Sequence, residues 1–173
     1  MYQFIDYSKL FAPEEVLGYF RKSRDEADLS TEEVLSKHQA MVDAWTQRNI
    51  GGTIPQENRF FELVSGETIA ERKEFQKVLR LIENPKYRAI ACFDVARLSR
   101  GDLEDAGRLI KLFRYTDTYI ITMDKVYDLK DESDREKFER ELKKGNEYLE
   151  YFKKISNAGR LLSVQQGNYI GSH

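Results

Sequence analysis

The sequence predicts an α/β fold, a mainly parallel central sheet flanked by helices, with a long C-terminal helix for oligomerisation. Three observations carry this. Short apolar runs bounded by charge alternate with stretches of helical periodicity. That alternation is the signature of strands joined by helical crossovers. A final charged stretch with an apolar stripe runs far longer than one domain face can cover.

The elements follow in order. Val16-Leu17-Gly18-Tyr19-Phe20-Arg21 reads as a first buried strand, and Lys22-Ser23-Arg24-Asp25 ends it. Ser30 or Thr31 then caps a helix, because Thr31-Glu32-Glu33-Val34 has the character of a capping box. Val34, Leu35, His38, Met41, Val42 and Trp45 fall on one face, which carries the helix to about Arg48. Gly51-Gly52 stops it. A second strand lies near Arg59-Phe60-Phe61-Glu62-Leu63, and Ser65-Gly66 makes a turn. Phe75, Val78, Leu79 and Ile82 mark a helix that ends before Pro85. Tyr87 to Phe93 is the clearest strand. Asp102 caps a helix with Leu103, Ala106, Leu109, Ile110 and Phe113 on one face, and Thr118 to Met123 forms a further strand. From Asp131 to about Gln166 the chain reads as one long helix with Phe138, Leu142, Leu149, Phe152 and Ile155 as its stripe. The expected organisation is a core over residues 1–130, the long helix over 131–168, and a linker beginning at 169–173.

Composition sets bounds on function. The chain has 173 residues, 40% hydrophobic and 34% charged, enough for one core with a heavily charged surface. No stretch approaches the roughly 18 apolar residues of a membrane span, and the first ten residues lack the pattern of a signal peptide. A cytoplasmic location is expected. The single cysteine, Cys92, permits no internal disulfide and reads as a small buried strand residue. With His38 and His173 as the only histidines, no zinc set can be assembled, so no metal is expected. Net charge is −2, but Arg21-Lys22-Ser23-Arg24 is locally basic, and residues 135–160 hold eight Lys or Arg against five Asp or Glu. A local surface for an anionic polymer is open to the chain.

The chemistry-bearing residues sit after strands. Ser23 follows the first strand between Arg21 and Arg24, and Arg97-Leu98-Ser99-Arg100 follows the clearest one. In an open α/β sheet both loops lie at the carboxyl edge, where ligands bind. Arginines gathered around one serine repel one another unless an anion lies among them. Phosphodiester chemistry supplies that anion, and guanidiniums stabilise its transition state. No His, Lys or Cys pairs with Ser23 as a general base, which argues against an ordinary serine hydrolase. Two other readings stay open from the residues alone: a non-catalytic phosphate- or nucleotide-binding module, and a structural protein assembled through its long helix.

The motifs resemble those of the serine site-specific recombinases. Tyr19-Phe20-Arg21-Lys22-Ser23-Arg24-Asp25 is similar to their nucleophile motif. Glu62-Leu63-Val64-Ser65-Gly66 through Arg72-Lys73-Glu74-Phe75 resembles the second block of the large serine integrases and transposon recombinases. Arg97-Leu98-Ser99-Arg100-Gly101 resembles the third, and Tyr127-Asp128, Ser133-Asp134, Glu147 through Arg160, Gly167 and Tyr169-Ile170-Gly171 resemble the long helix and the approach to a further domain. The resemblance spans about Val16 to Gly171.

It implies a recombinase catalytic domain that cleaves and rejoins DNA through a covalent 5′-phosphoserine on Ser23. Arg21, Arg72, Arg97 and Arg100 would bind and activate the phosphate, supported by Gln39, Arg24, Asp94 and Arg160. It implies no cofactor and double-stranded DNA attachment sites as substrate. It further implies a homodimer on each site, a homotetramer in the synapse, and a bacterial, phage or mobile-element source. Two positions depart from the pattern. Ala96 stands where the family often has an Asp, with Asp94 two residues earlier, and Lys153-Lys154 stand where the long helix often has an Arg.

Overall fold

The computed structural model describes residues 5–22, 29–63, 72–98 and 103–144. Five strands form one sheet in the order β2-β1-β3-β4-β5, where β1 is Val16–Arg21, β2 Arg59–Glu62, β3 Ala89–Ala91, β4 Tyr119–Ile121 and β5 Val126–Asp128. The first four are parallel, and β5 runs antiparallel to β4. Helices α1 (Thr31–Ile50), α2 (Lys73–Leu81) and α3 (Leu103–Tyr115) connect the parallel strands. A fourth helix, α4, is described over 132–144. The rest of the expected long helix, residues 145–168, lies outside the described residues.

This topology places the site. The chain moves from β1 to β2 in one direction, then crosses back to β3 and β4 on the other side of β1. Right-handed crossovers then send α1 to one face and α2 and α3 to the other. One core joins Leu17, Tyr19, Ile90 and Ile120 to Phe75, Val78, Leu109, Phe113 and Phe138. The other joins Val16, Phe20, Ala89, Ala91 and Ile121 to Leu35, Val42 and Ile50, with Phe11 and the partly buried Trp45. All six residues of β1 are buried, as a central strand covered on both faces requires. The reversal of direction opens a crevice between the carboxyl ends of β1 and β3, the topological switch point.

Local chemistry explains the element ends. Ser30 accepts a hydrogen bond from Glu33 N (3.1 Å) and caps α1. Gly51, at φ 76°, ends that helix in the left-handed conformation that glycine adopts without a Cβ penalty. The buried face of α1 is Val34, Leu35, His38, Val42, Thr46 and Ile50. Met41 lies off the edge of that stripe and is exposed, contrary to the periodicity reading. The paired part of β3 is shorter than Tyr87 to Phe93, although Cys92 N→Ile121 O and Tyr119 N→Arg88 O extend the pairing by one step at each end. Strand β5 has no counterpart in the sequence reading. It arises from a tight turn in which Thr122 Oγ1 donates to Asp124 and Lys125 N donates back to it. Cys92 is fully buried just beyond β3, and burial pushes its thiol well up, so it stays protonated.

Two predictions follow from this packing. A Cβ on Gly18 would stand 2.9 Å from Phe20 Cε2 and 3.3 Å from Ile54 Cδ1. Gly18→Ala should therefore destabilise the chain by about 1–3 kcal/mol in urea unfolding. The Tyr127 hydroxyl is buried without a hydrogen-bond partner among the described residues. Burial first, then the charges of Asp124, Glu141 and Asp134, push it up to about 12. The unfolded chain loses that proton near pH 10 and the folded chain does not, so stability should fall as pH rises from about 10 to 12. Tyr127→Phe should flatten this alkaline loss and be neutral or slightly stabilising at pH 7.

Candidate active site

Three arginines meet at the switch point. Arg21, the last residue of β1, donates from Nε to Arg97 O (3.1 Å) and from Nη2 to Ala96 O (2.7 Å). Arg97 donates in return from Nη1 to Arg21 O (3.2 Å). Arg72, just before α2, donates from Nη1 to the same Arg97 carbonyl (2.9 Å). A 3₁₀ turn over Val95–Arg97 turns those carbonyls toward the crevice, closed by Arg97 N→Asp94 O and Leu98 N→Val95 O. All three side chains are buried: Arg21 is 1% exposed, Arg72 0% and Arg97 5%.

Such a cluster is costly because guanidiniums keep their charge at any accessible pH. One carboxylate answers part of it directly. Asp94 Oδ1 lies 3.2 Å from Arg97 Nε as an ion pair, with the Asp94 side chain partly exposed. This is the acidic group beside Arg97 in a chain that has Ala96 next to that arginine. Arg72 remains under-satisfied. Its Nε and Nη2, the edge of the guanidinium that grips a planar anion with two hydrogen bonds, have no partner among the described residues.

Glu62 is a site residue that sequence reasoning placed only within a motif. It ends β2 in register with Arg21 and is buried. Its carboxylate accepts from Glu74 N (3.3 Å), Phe75 N (3.2 Å) and Tyr19 Oη (3.1 Å). Arg72, at the N-cap of α2, supplies no capping side chain, so Glu62 satisfies the helix start from across the fold. That bond fixes the point from which Arg72 projects. Burial pushes the Tyr19 hydroxyl up; Arg72 and Arg21 oppose the shift and Glu62 adds to it. Tyr19 therefore stays a neutral donor to Glu62. The signal for Glu62 was an acid ending a strand beside an arginine ending its neighbour, visible only once the register is known.

The other expected site residues divide. Ser23, Arg24, Arg100 and Arg160 lie outside the described residues, as do Lys153 and Lys154. The described ends of the Ser23 loop are tied together, because Lys22 Nζ donates to Leu29 O. Gln39 is not placed in the arginine cluster. Its Oε1 accepts from Arg59 Nη1 (3.1 Å), in a network with Asp43 and Ile54 O. Arg59 precedes Glu62 by three residues, about 10 Å along the strand. Among the described residues no group of His, Cys, Asp and Glu could hold a metal ion. No helix there is long and apolar enough to cross a membrane.

The fold and site together define a mainly parallel α/β domain with three buried arginines at its switch point. The family described as "Resolvase, N terminal domain" matches residues 16–160. The chain belongs to this family. Among solved structures, the N-terminal catalytic domain of TP901-1 integrase is 18% identical, with a TM-score of 0.55, over 79% of this chain and 97% of that one. The C-terminal catalytic domain of ISC1926 TnpA, an IS607-like serine recombinase, is 18% identical at a TM-score of 0.49, over 62% of this chain and 66% of that one. A serine recombinase from Sulfolobus solfataricus is 20% identical at 0.43, over 64% and 68%. The chain thus spans about two thirds of the length of the latter two.

The Glu62 arrangement makes a stability prediction. Glu62→Ala strips an acceptor from two helix N–H groups and from Tyr19, so it should cost about 2–4 kcal/mol in urea unfolding. Glu62→Gln, which keeps one acceptor oxygen, should lose clearly less.

Proposed function

We propose that the chain cleaves and rejoins double-stranded DNA at recombination sites with Ser23 as nucleophile. The observation that carries this reading is the meeting of three buried arginines at the carboxyl edge of β1 and β3, where Arg21 and Arg72 both donate to the Arg97 carbonyl and Arg97 donates back to Arg21 O. Ser23 lies two residues beyond the end of β1, at that same edge in sequence. Its oxygen forms a bond to the scissile phosphorus, and the bond to the 3′ oxygen breaks. The DNA 5′ end is left as a phosphoserine ester and the 3′ end as a free hydroxyl. The ester preserves the bond energy, so attack by another 3′ hydroxyl rejoins strands without ATP.

Each arginine has a share in this. The buried guanidiniums stabilise charge on the pentacovalent phosphorus, where a low-dielectric surround makes them most effective. Arg72 offers its Nε and Nη2 as a bidentate clamp, and Arg100 and Arg24 add further charge. Asp94 holds Arg97 through their ion pair. Arg160 supports the site in this reading, whereas Gln39 is engaged by Arg59 outside the arginine cluster. No cofactor is required. The working assembly is a homodimer on each site and a homotetramer in the synapse, joined through the helix over 131–168. The protein acts in the cytoplasm of a bacterium, on the DNA of a phage or another mobile element.

The test uses the intact recombinase and site DNA nicked to trap the intermediate. The wild type should form a covalent protein–DNA adduct, and Ser23→Ala should form none. An adduct from Ser23→Ala would overturn the assignment. Arg97→Ala and Arg72→Ala should each slow cleavage by about 10²–10³-fold at unchanged circular dichroism.

A further inference from the structure

An aromatic stack behind Arg97 has no part in the chemistry described so far. His38, on the buried face of α1, lies face to face with Phe93, with ring centroids 4.1 Å apart and planes inclined by 7°. Arg97 Cζ lies 5.4 Å from the centroid of that same Phe93 ring. His38 is 1% exposed and Phe93 is half-buried. The backbone around Phe93 is anchored as well: Cys92 N donates to Ile121 O (2.9 Å) and Met123 N to Phe93 O (3.4 Å).

We propose that Phe93 and His38 are positioning residues for Arg97, forming an aromatic platform that holds its guanidinium ready for the scissile phosphate. The inference rests on the reading of Arg97 as a phosphate-binding arginine. A guanidinium within about 6 Å of a ring centroid is attracted by the ring's quadrupole, more strongly when desolvated. Phe93 provides that ring. A phenylalanine ring by itself can rotate about χ2, and the nearly parallel imaginary plane of a second ring against it removes that freedom. His38 provides this second plane from α1. Asp94 Oδ1 lies 3.2 Å from Nε of the same arginine and Arg21 O accepts from Nη1, so ring, carboxylate and carbonyl all act on its orientation. An arginine fixed in advance loses little rotamer freedom when DNA arrives, and the gain is realised in the chemical step.

The experiment measures single-turnover cleavage at saturating site DNA, with DNA affinity measured separately. Four variants of the intact recombinase are compared with the wild type and with Arg97→Ala. Phe93→Leu keeps apolar volume but removes the ring, and should slow cleavage about tenfold without weakening DNA binding. Phe93→Tyr keeps the ring face and should cleave within about twofold of the wild type. His38→Phe should likewise preserve the rate, whereas His38→Leu should slow it. The Arg97 Hε resonance, displaced by the ring current in the wild type, should move in Phe93→Leu and stay in Phe93→Tyr.

Equal rates for the Leu and Tyr variants at position 93, or for the Leu and Phe variants at 38, would overturn the inference. If Phe93→Leu fails to fold, the His38 pair decides. Normal cleavage by Arg97→Ala would instead overturn the phosphate reading. Loss in Arg97→Ala, with wild-type rates in Phe93→Leu and His38→Leu, would remove the platform alone.

Discussion

The reciprocal hydrogen bonds between Arg21 and Arg97 are the constraint on which the rest of the site depends. Each guanidinium donates to the other residue's main-chain carbonyl. This ties the carboxyl end of β1 to the loop after β3 across the gap where strand order reverses. The ladder between β1 and β3 pairs only Val16 to Gly18 with Ala89 to Ala91, so beyond Gly18 the two chains separate. The arginines span the space that the ladder leaves. Arg72 joins through the Arg97 carbonyl, so three segments distant in sequence share one acceptor.

That arrangement concentrates positive charge in a place with little water. A fold does not gain stability by burying guanidiniums; the hydrogen bonds and the Asp94 ion pair only offset the desolvation they suffer. In the proposed function the compensation comes with the substrate: an anionic phosphate would turn this cost into an advantage, because charge developing in its transition state would meet donors already in place. Glu62 belongs to the same economy of structure. It satisfies the start of α2, orients Arg72 from behind, and leaves the face of the crevice cationic.

Local geometry also places an acid beside Arg97. Ala96 cannot carry charge, yet an acid reaches Arg97 because Asp94 precedes a single 3₁₀ turn. Three residues of 3₁₀ helix bring positions i and i+3 onto one side. Similarly, Gln39 is drawn toward Arg59, whose guanidinium also engages Asp43. A charged network on the flank of α1 outcompetes a more distant crevice for a neutral amide.

Much of this was legible in the order of residues. Apolar runs at strand length and stripes at helical period are local patterns, so β1 to β4 and helices α1 to α3 could be read directly. The family could be read too, because its motifs are short and ordered along the chain. What the sequence could not express was contact between distant segments. Met41 looked inward by spacing, but where the sheet lies relative to α1 decides which edge of the stripe is covered. β5 escaped notice because three residues carry no period, and it exists only because a turn at Thr122 folds it against β4. Glu62 and Phe93 were unremarkable as letters. Strand register set Glu62 beside Arg21, and packing of α1 set His38 against Phe93. Sequence by itself determined β1 to β4 and α1 to α3, the family and the arginine inventory, since each depends on neighbours along the chain. Only the tertiary structure decided which carbonyl the arginines share and which carboxylates answer them, because those distances are set by sheet order and crossover, not by spacing in the chain.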